Sequence, residues 1–133
     1  MSKFGCKCGN VISDVISPNE VTGEILSNKS HESFFDDVAA IIKDCLEYSA
    51  QGKIEAWMNK HFSVYPKSLP LSEMLHDALH IRHCNLTLGL MECDKCGRLW
   101  IQRSVGENYY REYVPAAQDN ARVLGLNERA ADG

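Results

Sequence analysis

Apolar positions along this chain change their period from one region to the next. Residues 11–16 (VISDVI) and 21–26 (VTGEIL) are short β-favouring runs separated by Pro18-Asn19, which predicts two strands and a turn. The spacing then becomes helical. Phe34, Phe35, Val38, Ile41, Ile42, Cys45 and Leu46 fall on one stripe, Asp37, Asp44 and Glu47 lie on the outward face, and Gly52 ends the run. Ser30 or Ser33 is the expected cap, with Glu32, Asp36 and Asp37 near the positive end of the helix dipole. Residues 54–62 predict a shorter helix carrying Trp57 and Met58, and Pro66 and Pro70 mark a loop. Ser72 is the expected cap of a third helix, Glu73 to about His83, with Met74, Leu75 and Leu79 inward. Alternation then returns. Residues 86–91, 98–103 and 109–114 predict strands, the last stopped by Pro115, and residues 116–124 predict a terminal helix with Gly125 behind it.

The expected fold class is therefore α+β: a small antiparallel sheet built from both ends of the chain, with about three helices inserted over residues 31–83. At 133 residues, with 44% hydrophobic and 24% charged residues, the whole reads as a single domain, 1–133, of ordinary soluble composition. Nothing approaches an apolar membrane span, and the polar start at residues 2–10 lacks the apolar core of a secretory signal. A cytoplasmic location is expected, so the triplets Asn28-Lys29-Ser30 and Asn85-Leu86-Thr87 are read as chance matches to the glycosylation pattern.

That expectation changes how the six cysteines are read. In a reducing compartment closely spaced cysteine pairs bind metal or do redox work more often than they form disulfides. Cys6-x-Cys8-Gly9 and Cys93-x-x-Cys96-Gly97 are each followed at once by glycine. This is the pattern of a zinc knuckle, a tight turn that presents two thiolates while the glycine lets backbone N–H groups face sulfur. Four cysteines complete the tetrahedral sphere of a closed structural Zn2+ site and leave no open position for catalysis. Two zinc-ribbon-like knuckles, at 6–9 and 93–97, would thus join the N-terminus to the late hairpin. The redox alternative needs Cys93-x-x-Cys96 to open a helix, whereas Arg98-Leu99-Trp100-Ile101 reads as strand. Cys45 and Cys84 are read as core thiols.

His76 and His80, one helical turn apart, could chelate an ion. The glutamate of a His-Glu-x-x-His signature is missing, and polar surface histidines are the simpler reading of His76, His80 and His83. No phosphate loop or nucleophile elbow is present, so no catalytic residues are selected and the chain is read as a non-enzyme. Charge is uneven within a net −4. Nine acids and three lysines lie between Asp14 and Glu55, whereas five basic residues and three acids lie between Arg82 and Arg111. An acidic half suits a basic partner, and no strong basic field invites nucleic acid. Tyr109, Arg111 and Tyr113 would share one strand face, and tyrosine with arginine is a common interface combination. Trp100 is read as core.

The starting Cys-x-Cys-Gly, the late "ECDKCGRLWIQ" and the aromatic strand ending in "YVP" together resemble small bacterial proteins of the polymorphic-toxin type. Among these are immunity proteins of contact-dependent growth-inhibition systems. The likeness lies at the chain's two ends and does not reach residues 30–81. It implies a cytosolic inhibitor that binds one cognate toxin domain, often a nuclease, and occludes its active site, with Cys6, Cys8, Cys93 and Cys96 as metal positions. Asp37, Asp44, Glu47, Tyr109 and Tyr113 are the expected partner-binding residues. Two other functions stay open: a zinc-ribbon nucleic-acid or transcription accessory protein using Lys7, Lys95, Arg98 and Arg103, and a metal-dependent enzyme using the His76/His80 helix.

Overall fold

The computed structural model describes residues 3–61, 68–117 and 122–125. In chain order the elements are β1 (Lys3–Gly5), β2 (Val11–Ser13), β3 (Thr22–Ile25), α1 (Asn28–Ala50), α2 (Ile54–His61), α3 (Leu71–Cys84), β4 (Leu88–Glu92), β5 (Leu99–Gln102) and β6 (Tyr110–Tyr113). The architecture is mixed α and β, with two small antiparallel sheets and three helices between the early and late strands. The chain forms two compact units, one of Met1–Ile25 with Thr87–Gly133 and one of Leu26–Leu86.

In the first unit β1 and β2 form a hairpin, and the second sheet has the order β3-β4-β5-β6. The register Met91↔Trp100 and Trp100↔Glu112 puts Met91, Trp100 and Glu112 on one face. Phe4 of β1 packs there edge-on, with ring centroids 4.8 Å from Trp100 and 5.6 Å from Tyr110. Cys6, Ile12, Cys93 and Trp100 are the buried centre of this unit, with Phe4, Val21, Met91, Cys96 and Tyr110 against it. The opposite face carries Leu90 and Glu92, both buried. The expected strands are thus present but shorter: residues 14–16, for example, leave the ladder, and Val15 and Ile16 are exposed.

The second unit packs α2 and α3 against α1 around Cys45, Trp57 and Met74. Cys45 is the small buried hydrophobe expected of it, and burial raises its thiol pKa, helped by the nearby Asp44 charge. Several local expectations are corrected. α1 starts before Ser30: Ser27 is the cap, its hydroxyl accepting from the Ser30 N–H at 3.1 Å. The helix is therefore longer at its start, and its first turn holds no acid. Phe35, Ile42 and Leu46, predicted on the inward stripe, are exposed. α2 and α3 cover the stripe of Ile41, Cys45 and Tyr48, and Phe34 meets His83 of α3, whereas Phe35, Ile42 and Leu46 each follow one of these residues about 100° farther round the helix. At α3 the cap position is Pro70 without a side-chain hydrogen bond, so Ser72 lies inside the helix. Cys84 is exposed rather than core, because it continues the outer face of α3 marked by His80 and Ile81. Of the terminal helix predicted over 116–124, residues 118–121 lie outside the described residues, and 116, 117 and 122–124 are not in an α-helix, Leu124 standing in a 3-10 turn.

Candidate metal centre

The two knuckles are the turns between β1 and β2 and between β4 and β5, and they are built alike. In the first, the Cys6 N–H donates to the Asn10 carbonyl at 2.8 Å and the Gly9 N–H donates to the Cys6 carbonyl at 2.9 Å. In the second, the Cys93 N–H donates to the Arg98 carbonyl and the Gly97 N–H to the Cys93 carbonyl, both at 2.8 Å. Each bond spans one residue more in the second knuckle, which matches Cys-x-x-Cys against Cys-x-Cys. The closing glycines have φ of +89° and +68°, where a side chain would be strained. The shorter pair thus makes the same turn with one residue fewer.

The four sulfur atoms of Cys6, Cys8, Cys93 and Cys96 all lie within 4.8 Å of one another. The close contacts run between the knuckles, Cys6 to Cys96 and Cys8 to Cys93, each 3.6 Å. A disulfide would need about 2.05 Å, and all four cysteines are free. A metal–sulfur bond of about 2.3 Å in a tetrahedron sets sulfur atoms about 3.8 Å apart. The observed spacing brackets that value, so the set could hold one metal ion with all four positions filled by sulfur.

Electrostatics favours a cation. Burial would raise the Cys93 thiol, but hydrogen bonds from the Asn10 amide and from the Lys95 and Cys96 N–H groups outweigh it and bring it down to about 6. Cys6 is lowered too: burial opposes this, and the Cys8 N–H leads the hydrogen bonds that overcome it. Cys96 is pushed up to about 12 by burial and by the three neighbouring sulfurs. Four sulfurs this close cannot all ionise without positive charge among them. Part of that charge comes from Arg98, whose own pKa is raised first by its hydrogen bond to Cys6. Glu112 in turn binds Arg98 Nε at 3.2 Å and pairs with Lys7, and Lys7 also lies 5.9 Å from the Trp100 ring centroid. Asn10 Nδ2 donates to Cys93 Sγ at 3.5 Å and to Asp94 Oδ1 at 2.5 Å, tying the knuckles by side chain as well as by sulfur.

The family comparison places residues 2–117, and with them both knuckles, within one family model, described as a domain of unknown function (DUF8617). The chain belongs to the DUF8617 family. No curated protein and no solved structure matches it. All four cysteines, the hairpin carrying Phe4 and the whole β3–β6 sheet lie inside the DUF8617 match. Residues 122–125 lie beyond it.

The remaining expected site residues do not converge. Asp44 does not face outward: its carboxylate meets Lys60 Nζ at 3.3 Å and His61 Nε2 at 3.2 Å on α2. The His61 hydrogen bond lowers its pKa, with Lys60 adding to it and burial opposing it. Glu47 is exposed and lies 3.7 Å from Lys43, and Asp37 is half-buried. Tyr109 and Tyr113 are 69% and 48% exposed, beside and on the edge strand β6, with Arg103 5.8 Å from the Tyr109 ring centroid. The rings of His76 and His80 stack with centroids 6.0 Å apart. His80 Nε2 lies 3.4 Å from Cys84 Sγ, and His76 3.6 Å from Asp77. Among the described residues, the four cysteines are the one set of three or more such groups close enough to share an ion.

Sequence reasoning missed Asn10, Glu112 and, above all, Glu92. Glu92 is completely buried, although it directly precedes the second knuckle in an otherwise apolar strand. Its parity with Leu90 was a readable signal, because alternation in β4 assigns both to one face.

Proposed function

We propose that this protein is a binding protein whose fold is fastened by a structural zinc ion, and that it acts as an immunity protein against a cognate toxin domain. The observation that carries the reading is the cluster of four cysteine sulfurs within 4.8 Å of one another. Four thiolate donors match zinc among the softer divalent ions and leave no vertex for water or substrate. Such a site holds structure rather than performing chemistry. It fixes the β1–β2 hairpin onto the sheet that ends in β6, where Tyr113 on the strand and Tyr109 just before it are exposed to solvent. Aromatic side chains with a neighbouring arginine are typical anchors of a protein interface. The function is therefore one of occupying a partner's surface, and the toxin as partner follows from the resemblance of the chain's two ends to immunity proteins.

The acidic face of α1 carries less of this reading than its sequence suggests. Asp44 is held by α2, which leaves Asp37 and Glu47 as the weaker contributors to a surface that would attract a basic nuclease. The nucleic-acid alternative loses support for a similar reason. Lys7 and Arg98 both bind Glu112, and Arg103 lies 3.4 Å from Glu107.

Elemental analysis of the protein purified without chelator or affinity metal should give one zinc per chain. Co-expression with the toxin domain encoded beside it should protect the cells and yield a complex that survives size exclusion. A metal-free folded protein removes the zinc, and a pair that neither protects nor co-purifies removes the immunity role.

A further inference from the structure

Glu92 is a carboxylate with no exposure at all, on a strand face where its neighbour in parity, Leu90, is apolar and buried. Burying a charge without partners is among the costliest things a core can do. Here both oxygens are used. Oε1 accepts the Val123 N–H at 2.6 Å and Oε2 accepts the Leu124 N–H at 2.9 Å. One carboxylate thus receives two successive backbone donors of a tight turn, a charge-assisted pair that reads no side chain. Specificity comes from either side of it. Arg122 lies 3.7 Å from Glu92 and 3.6 Å from the Glu20 carboxylate, and donates to the Glu20 carbonyl. Leu124 occupies space left by a missing side chain, since a Cβ on Gly23 would stand 2.9 Å from Leu124 Cδ2. The groove therefore reads arginine, any residue, leucine, with an acidic end, a carboxylate floor and an apolar slot.

Glu20, Gly23 and Glu92 lie within the DUF8617 match, which ends at residue 117, whereas Arg122, Val123 and Leu124 lie beyond it. We propose that this groove is a recognition site for an Arg-x-Leu turn of a partner protein, filled in this chain by its own residues 122–124. The mode is capture of two successive backbone N–H groups by a fixed carboxylate, with the arginine and leucine side chains held on either side of it. The tether gives the chain's own segment an effective concentration in the millimolar range, so a partner's segment gains access when the internal one is weakened or displaced. The inference depends on neither the zinc nor the toxin, and its test leaves both readings untouched.

The experiment uses the full chain. Arg122→Ala combined with Leu124→Pro removes the guanidinium, one N–H donor and the leucine from the groove. A fluorescently labelled NARVLGL peptide, the chain's own sequence, is titrated against wild type and variant by anisotropy. The variant should bind the peptide at least about ten-fold more tightly than wild type, because the internal competitor is gone. A peptide with proline in place of the leucine should not bind, and adding Glu92→Gln to the variant should weaken binding by at least about ten-fold. A folded variant that ignores the peptide at millimolar concentration, or binds the proline peptide equally, overturns the proposal. The milder Leu124→Ala, which keeps both N–H donors, serves as the second variant and should also bind the peptide more tightly than wild type. If both variants unfold, the segment is a structural strut and the proposal fails.

Discussion

Replacing both N-terminal cysteines, Cys6→Ser with Cys8→Ser, is the perturbation that tests the structural contribution of the proposed zinc. It leaves Cys93 and Cys96 in their turn but releases the β1–β2 hairpin from it. Cys8 and Cys93 are 85 positions apart. A cross-link closing a loop of that length restricts the unfolded chain by about 4.5 kcal/mol on the loop-entropy relation used for disulfides. Release of the hairpin also loosens the edge-on contacts of Phe4 with Trp100 and Tyr110, each worth about 0.5–1.5 kcal/mol beyond area. The combined loss, about 5.5–7.5 kcal/mol, is comparable with the whole stability of a typical domain, about 5–15 kcal/mol. For a unit of this size it corresponds to a fall in Tm of about 20 °C or more. The assay is thermal unfolding followed by the near-ultraviolet signal of Trp100, alongside zinc content per chain. Wild type treated with a strong chelator should melt like the untreated variant, and chelator should no longer shift the variant. A variant that melts within about 2 °C of wild type, or still holds one zinc per chain, would refute the reasoning.

Three further outcomes follow from the same geometry. Trp57→Ala empties the centre of the helical unit, where the indole is fully buried, and should cost about 3–5 kcal/mol in denaturant unfolding; a loss under about 1 kcal/mol would show that the unit repacks freely. Asp44 has a pKa lowered from the ordinary 3.8, so its contribution is present above that pH and is lost as pH falls through the lower folded value. Asp44→Asn should therefore be less stable than wild type near neutral pH, with the gap closing below pH 3.8 and shrinking in high salt; a gap that widens on acidification contradicts the pairing with His61 and Lys60. Tyr109→Ala with Tyr113→Ala should change unfolding by no more than about 0.5 kcal/mol per site, since both rings are exposed, yet weaken toxin binding by about 2 kcal/mol or more in calorimetry; unchanged affinity would move the interface elsewhere.

What could be read from the sequence was mostly what is local. The period of apolar residues places α1, α2 and α3 and the late strands to within a few residues, because hydrophobic spacing and backbone geometry act over one or two turns. The cysteine pairs were legible for the same reason: a glycine directly after the second thiol describes a turn completely. That the two turns meet was an inference from chemistry, since four ligands suit one ion better than two pairs suit two. Exposure on α1 was not legible. Phe35, Ile42 and Leu46 obey helical spacing as well as Ile41 and Cys45 do, and only the side on which α2 and α3 pack decides which of them is covered. Asp44 was misread likewise, because its partners Lys60 and His61 belong to a different helix.

Glu92 joins the two kinds of information. Alternation in β4 assigns it an inward position, and charge forbids that position unless donors arrive from elsewhere. An inward carboxylate in an apolar strand is thus a local sign of a distant partner, as a lone cysteine pair is a sign of a second pair. Both signs occur within the same short stretch, MECDKC, where Glu92 and Cys93 are adjacent and both fully buried. Cys93 binds the N-terminal knuckle and Glu92 binds residues 123 and 124, so one turn of backbone gathers both ends of the chain. Side chains on successive strand residues point to opposite faces, which lets one strand end serve two attachments without conflict. Loosening either attachment should therefore leave the other in place unless β4 itself gives way, and Cys6→Ser with Cys8→Ser and Arg122→Ala with Leu124→Pro form the pair of variants that separates the two.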